Sequence, residues 1–97
     1  MDITQLRYFL KTVETMNFTR AAESLFTSRQ ALRQTLNTLE KELGQDLFET
    51  DRNRLALTEY GAYLAQACTG AVKAFDDLEA DVSRFFGQQT PSVLPGR

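Results

Sequence analysis

Apolar positions recur every three or four residues near the start of the chain and predict a first helix. They are Ile3, Leu6, Phe9, Leu10 and Val13. Asp2 stands just before this row and Gln5 follows three residues later, a pair that fits a helix-capping box. The pattern stops near Met16 and Asn17, so we expect the helix to end there.

A second, shorter helix is predicted over the stretch TRAAESLF, with Thr19 as its cap. After a tight break at Phe26 and Thr27, a third helix begins, capped by the hydroxyl of Ser28. Gly44 is well placed to end this third helix. Two helices joined by so short a turn predict a helix-turn-helix.

The next stretch, QDLFETDRNRLALTEYG, predicts a two-stranded hairpin. Two short apolar runs, LF and LAL, flank the polar and turn-forming ETDRNR. A hairpin with a charged tip in this place is a wing, and Thr58 can cap a last helix after it. The predicted fold is therefore mainly α: residues 1–57 form a winged helix-turn-helix of three helices and a two-stranded wing, followed by a long dimerisation helix.

The last helix carries a heptad row of apolar residues along one side. With gaps of 4, 3, 4, 3, 4 and 3, the row is Leu64, Cys68, Ala71, Phe75, Leu78, Val82 and Phe85. One small domain cannot cover a row of about three heptads. We therefore predict that residues 58–86 are a dimerisation helix that pairs with a second copy of itself. Residues 87–97 have no periodicity, and their glycines and prolines predict a flexible linker.

Composition narrows the class of protein. The chain has 97 residues, 42% of them hydrophobic and 25% charged, which fits one small globular domain. No apolar run could span a membrane, and MDITQLR lacks the features of a signal peptide. The chain has no histidine and a single cysteine, which leaves little for catalysis or for a zinc site. We therefore expect no enzyme, metal site or cofactor, and a cytoplasmic location.

Net charge argues against nucleic acid as the partner, but its distribution weakens that objection. The chain carries −2 overall and has a pI near 5.0. Residues 1–57 are neutral, with eight basic and eight acidic side chains, and the surplus acid follows them. Local clusters decide binding more than the total does.

The third helix is the candidate reading helix. Opposite its leucine row stand polar side chains that can form forked hydrogen bonds with guanine and adenine. They are Arg29, Gln30, Arg33, Gln34 and Asn37. The alternative is an ordinary solvated helix face. Such a face usually alternates its charges, whereas Glu40 is the only acid between Ser28 and Lys41. A second set is expected to hold the DNA backbone or the minor groove. It consists of Thr19, Arg20, Ser28, Arg52, Asn53 and Arg54.

In this order, the elements resemble the DNA-binding domain of LysR-type transcriptional regulators. The resemblance covers roughly residues 3–86 and rests on LRYFLKTVETMNFTRAAESLFTS, ALRQTLNTLEKELGQDLFE and LALTEYG. In that family an aromatic-rich first helix precedes FTxAAxxL, a serine-capped reading helix ends in LExxLGxxLF, and the wing closes on LTxxG. A match of this length and register is specific for the family.

The resemblance implies a homodimer on promoter DNA, with the long helices paired antiparallel and two wings presented to an inverted repeat. It leaves open a tetramer in the full-length protein. In the family a large effector-binding domain follows, so the chain is expected to be an isolated DNA-binding domain that binds no small-molecule effector. Arg29, Gln30 and Arg33 depart from the residues usual at reading positions, which favours a guanine-richer or otherwise unusual half-site.

Two other interpretations stay open at this point. The long helix could serve a protein-interaction module with no role in DNA binding, which the near-neutral first part of the chain favours slightly. Cys68 could act as a redox switch, although a small buried apolar role is the simpler one, because no cation lies nearby in sequence to lower its pKa.

Overall fold

The structure is a computed structural model that describes residues 1–88, with side chains described through residue 85. Its elements in chain order are α1 (Ile3–Thr15), α2 (Phe18–Ser24), α3 (Arg29–Leu43), β1 (Phe48–Asp51), β2 (Arg54–Leu57) and α4 (Glu59–Gln88). Three helices, a two-stranded wing and a long last helix confirm the predicted mainly α winged helix-turn-helix.

Local interactions fix three of the helix ends as the sequence predicts, two through side-chain hydrogen bonds and one through a glycine backbone. The capping box of α1 is complete: Gln5 N donates to Asp2 Oδ1 at 2.8 Å, and Asp2 N donates to Gln5 Oε1 at 2.9 Å. At the start of α3, Ser28 Oγ accepts from Ala31 N at 3.0 Å. Gly44 ends α3 with a φ of 69°, a backbone conformation that glycine adopts at little cost.

The start of α2 corrects one prediction, since Asn17 and not Thr19 caps this helix. Asn17 Oδ1 accepts from Arg20 N at 2.9 Å, and the helix begins at Phe18, so Thr19 already lies inside it. The reason lies in the residue before: Met16 takes the left-handed conformation, with a φ of 48°, and ends α1. Asn17 is thereby left extended, the backbone state in which an asparagine side chain reaches the free amides of the first turn.

The wing is a tight hairpin whose two strands extend further into the polar stretch ETDRNR than predicted. β1 and β2 pair antiparallel from Phe48 opposite Leu57 to Asp51 opposite Arg54. The predicted six-residue turn was too long, because its first three residues belong to β1 and its last belongs to β2. Arg52 and Asn53 alone form the turn with φ values of 52° and 65°, as a type I′ hairpin turn requires to match the strand twist.

A single hydrophobic core joins the three short helices, the wing and the first half of α4. Its buried apolar residues are Leu6, Phe9, Ala21, Ala22, Leu32, Leu36, Leu39, Leu47, Leu64, Cys68 and Val72. The core thus extends past residue 57, and the first half of α4 is packed as part of the head, by which we mean residues 1–72. Gly87 and Gln88, predicted as linker, are still helical; residues 89–97 lie outside the described residues.

Candidate nucleic-acid interface

All five side chains predicted to read bases lie exposed on one face of α3. The leucines Leu32, Leu36 and Leu39 are buried on the other face, which fixes how the helix is rotated. An open groove on the exposed face is lined by Arg29, Gln30, Arg33, Gln34 and Asn37. None of these side chains is acidic, so the groove offers positive charge and amide groups to a ligand.

A second cleft lies between the start of α2, the start of α3 and the wing. It brings Thr19 from α2 and Asn53 from the wing turn to Arg29 and Arg33 of the reading helix. No carboxylate lines this cleft either. Arg29 and Arg33 line both the groove and the cleft, so side chains predicted for base contact and for backbone contact lie on adjoining surfaces. Arg33 also lines a third cavity, together with Glu40 and Glu49.

The other predicted backbone-binding residues are placed less closely. Arg20, Arg52 and Arg54 are exposed but do not line this cleft. Ser28 is exposed as well, and its hydroxyl is engaged as the cap of α3. The local structure thus gives Ser28 a role without DNA. For the side chains of the three arginines, no hydrogen bond or ion pair is found among the described residues, and their contact with DNA stays a prediction.

Arg33 is held against an aromatic ring. Its guanidinium carbon lies 4.8 Å from the centroid of the Phe18 ring, within the range of a cation–π interaction. In the described part of the chain, Arg33 forms no hydrogen bond or ion pair with a protein group. Its N–H donors are therefore available to an external acceptor.

Glu40 positions the wing, a role that the sequence analysis missed. Its Oε2 accepts from Leu47 N at 2.7 Å and from Phe48 N at 3.3 Å, so the reading helix holds the start of β1 directly. The start of an edge strand leaves backbone N–H groups in search of an acceptor. The need of the Leu47 N–H for an acceptor could have pointed to Glu40, the acid on this face of α3.

The predicted dimer seam on α4 divides into a covered and an exposed part. Leu64 and Cys68 are 7% and 6% exposed because the chain's own core covers them. The exposed part consists of Ala71, Phe75, Leu78, Val82 and Phe85. Val72, which the heptad row omits, is buried against the head.

The acidic side chains of α4 are exposed, and the four between residues 76 and 81 each take part in an ion pair. The pairs are Arg7 with Asp76 and Glu79, Lys73 with Asp77, and Arg84 with Asp81. The surplus negative charge of the chain therefore sits on α4, and much of it is neutralised locally.

Among the described residues, no helix is both long and apolar enough to cross a membrane.

Comparison with known proteins agrees with this geometry. The family of bacterial regulatory helix-turn-helix proteins, lysR family, matches residues 3–62, which include the helix-turn-helix, the wing and the start of α4. This chain belongs to the lysR family. Its reading helix, wing and α4 are those of a LysR-type DNA-binding domain.

Curated LysR-type relatives match over nearly the whole chain. The transcriptional regulator IlvR of Caulobacter vibrioides is 37% identical over 93% of this chain, and the Hca operon transcriptional activator HcaR of Escherichia coli is 39% identical over 98%. The chain spans 30% and 37% of the length of these two relatives.

A solved LysR-type structure shares the whole architecture. The DNA-binding domain of BenM, in complex with its catB site 1 DNA, superposes with a TM-score of 0.82 at 28% identity. The likeness covers 92% of this chain and all of that one. It therefore extends through the wing and far along α4.

Proposed function

We propose that this LysR-family chain binds a specific inverted repeat in double-stranded DNA as a homodimer. The observation that carries the proposal is the α3 groove, where two arginines, two glutamines and an asparagine are exposed together. These are the side chains that form forked hydrogen bonds with guanine and adenine in the major groove. The BenM DNA-binding domain was solved with DNA, which supports the same class of ligand here.

We divide the surface into two roles. Base reading is assigned to Arg29, Gln30, Arg33, Gln34 and Asn37. Contact with the DNA backbone or the minor groove is assigned to Thr19, Arg20, Ser28, Arg52, Asn53 and Arg54. The first set lines one groove along α3, and Thr19 and Asn53 of the second set line the adjoining cleft. Contacts of the second kind orient the protein on DNA and carry little sequence information.

The proposed dimer forms through the outer half of α4. Phe75, Leu78, Val82 and Phe85 are between 38% and 57% exposed, although each is large and apolar. Their spacing continues the heptad row that a partner helix would cover. Because Leu64 and Cys68 are already covered, we assign them little of the dimer contact. A twofold dimer presents two identical heads, which accounts for an inverted repeat.

The same proposal assigns the chain no catalytic activity and a cytoplasmic location. The absence of histidine supports the first point, together with relatives that are transcriptional regulators. The second follows from the chromosomal DNA that such a regulator binds in a bacterium.

Fluorescence anisotropy tests the proposal directly. The purified chain is titrated against the DNA upstream of its own gene and against a shuffled duplex, at two salt concentrations. We expect preferential binding to the upstream duplex, weakening with salt at a log–log slope of about −0.9 for each phosphate contacted. Equal or absent binding by a chain that is still dimeric would contradict it and favour a protein-interaction module, whose helix pairing should barely respond to salt.

The assigned roles predict different losses for two arginines. Arg33→Ala should cost about 1–3 kcal/mol on the specific site and relax specificity at one base pair, whereas Arg54→Ala should weaken binding to all sequences alike. Selection of sites from random DNA measures both effects and also asks whether guanines are enriched. Losses that are equal on specific and random DNA for both variants would count against this division, and no enrichment of guanine would remove the half-site hypothesis.

A further inference from the structure

The contact between Arg33 and Phe18 joins the reading face to the hydrophobic core. Phe18 is the first residue of α2 and is half-buried, while Arg33 is exposed on α3. The ring attracts the guanidinium through its quadrupole, and the N–H donors of Arg33 have no protein acceptor among the described residues. The cation is thus held in place before any ligand arrives, with its hydrogen-bonding capacity unused.

The Phe18 ring contacts one further aromatic ring, which a second aromatic contact links to the core. It meets the Phe48 ring of β1 at a centroid distance of 6.1 Å and an angle of 73°, close to the edge-to-face arrangement that aromatic pairs favour. Phe48 in turn packs against Phe9 of α1 at 5.5 Å, and Phe9 is wholly buried. A row of three rings therefore runs from the centre of the core to the guanidinium of Arg33.

Without this ring, the Arg33 side chain could occupy more than one place. It lines the α3 groove, where base edges would lie, and it also lines the cleft beside the wing, where the DNA backbone would lie. A long arginine side chain loses conformational freedom when it binds. Forked recognition of one base also requires the guanidinium to lie in one orientation.

We propose that Phe18 is a specificity-determining positioning residue, whose ring holds Arg33 at the wing side of the α3 groove so that it reads a single base pair. This rests on the proposed DNA-binding function and deepens it. Phe18 does not itself contact DNA in this proposal; it acts through Arg33 alone.

A double-mutant cycle tests the inference. Binding is measured to the selected duplex and to duplexes changed at the base pair whose preference Arg33→Ala abolishes. Phe18→Leu should lower discrimination at that base pair about two- to fivefold, the range of an exposed cation–π contact. In the Arg33→Ala background, Phe18→Leu should not lower discrimination at that base pair any further. Phe18→Tyr, which keeps the ring, should retain discrimination.

Arg29 provides the matched control, since no aromatic ring among the described residues stacks against its guanidinium. Phe18→Leu and Arg29→Ala should act independently, so that the fold-loss in binding of the double variant is the product of the two single fold-losses. Circular dichroism and thermal melting check that Phe18→Leu is folded at the assay temperature. A loss of folded protein would appear equally in the Arg33→Ala background, which the cycle detects.

A second measurement needs no DNA. In the unchanged chain, ring currents should shift the Arg33 side-chain proton resonances upfield, and Phe18→Leu should remove that shift. No upfield shift, or additive losses in the Arg33 cycle while specific binding persists, would overturn the inference and leave the proposed function standing. Absence of specific binding by the unchanged chain would overturn both, whatever the resonances show.

Discussion

At the scale of the residue, packing decides the chemistry of Cys68. The side chain is 6% exposed, and its Sγ lies 4.0 Å from the carbonyl oxygen of Ala65, one turn earlier on α4. Burial raises the pKa of the Cys68 thiol, because the charged thiolate would lose its hydration. The thiolate is the reactive form, so this environment argues against the redox switch left open by the sequence.

Cys68 should therefore react slowly in the folded chain. With a disulfide reagent at pH 8, we expect labelling slower by on the order of tenfold or more than in denaturant, since burial limits both the thiolate and access to it. Because the unfolded thiol ionises first, the contribution of this residue to stability should fall as pH rises above about 8.5. Equal labelling rates with and without denaturant would instead reopen the redox role.

Three helix ends whose partners lie within one helical turn were predictable from the sequence, whereas the cap of α2 was placed at Thr19 in place of Asn17. The caps at Asp2, Ser28 and Gly44 depend on side-chain type and on spacing of three or four residues, and all three were confirmed. Glu40 was missed because its acceptor role spans seven and eight residues and exists only once the wing folds back. The contact of Arg33 with Phe18 likewise depends on how two helices cross, which local pattern does not specify.

At the scale of the element, a close approach at Gly61 determines how α4 docks on the wing. A Cβ atom at this position would lie 2.3 Å from the carbonyl oxygen of Leu47 and 2.8 Å from Leu57 Cδ1. Gly61 N also donates to Thr58 Oγ1 at 2.9 Å, while Thr58 Oγ1 donates to Asp46 O at 2.6 Å. The first turn of α4 is therefore fastened to both ends of the hairpin, with no room for a side chain.

Two glycines on α4 should respond oppositely to the same substitution. Gly61→Ala should destabilise the chain by about 1–3 kcal/mol, because the methyl group meets backbone that cannot move aside. Gly70→Ala should stabilise it by about 0.5–1 kcal/mol, since a Cβ there meets nothing within 4 Å and alanine favours the helix. Urea unfolding of both variants measures the difference, and a neutral Gly61→Ala would show that the docking of α4 is looser than this geometry requires.

The elements themselves followed from hydrophobic periodicity, but their limits did not. The type and order of all six were predictable because each buries one face against the same core. The strand β1 was underestimated because Glu49, Thr50 and Asp51 are polar, and an exposed strand of a two-stranded wing has no need of apolar side chains. The predicted heptad row of α4 includes Leu64 and Cys68, which the chain's own core covers. Periodicity does not distinguish contact with a partner helix from contact with the chain's own α1.

At the scale of the whole molecule, few contacts among the described residues set the angle between the head and the part of α4 beyond Val72. Beyond Val72, every described side chain of α4 is exposed. In this region Arg7 of α1 reaches across: its guanidinium lies 2.5 Å from Asp76 Oδ1, 3.3 Å from Glu79 Oε1 and 5.5 Å from the centroid of the Phe75 ring. Arg7 thus ties the head to the start of the exposed apolar stripe that we assign to the dimer.

The separation of two heads in a dimer should therefore depend on Arg7. Half-exposed ion pairs contribute little to stability, so Arg7→Ala should cost no more than about 1 kcal/mol in unfolding experiments. Its larger effect should appear on DNA, because a dimer helix that swings more freely lets the heads fit different half-site spacings. The unchanged chain should discriminate against duplexes with one base pair added or removed between half-sites, and Arg7→Ala should discriminate less, at constant salt to keep screening equal.

Lys73→Ala is the matched control, since it breaks an ion pair with Asp77 that lies within α4 and leaves the head untouched. If both variants keep the spacing preference of the unchanged chain, the buried contacts of Leu64, Cys68 and Val72 alone set the angle.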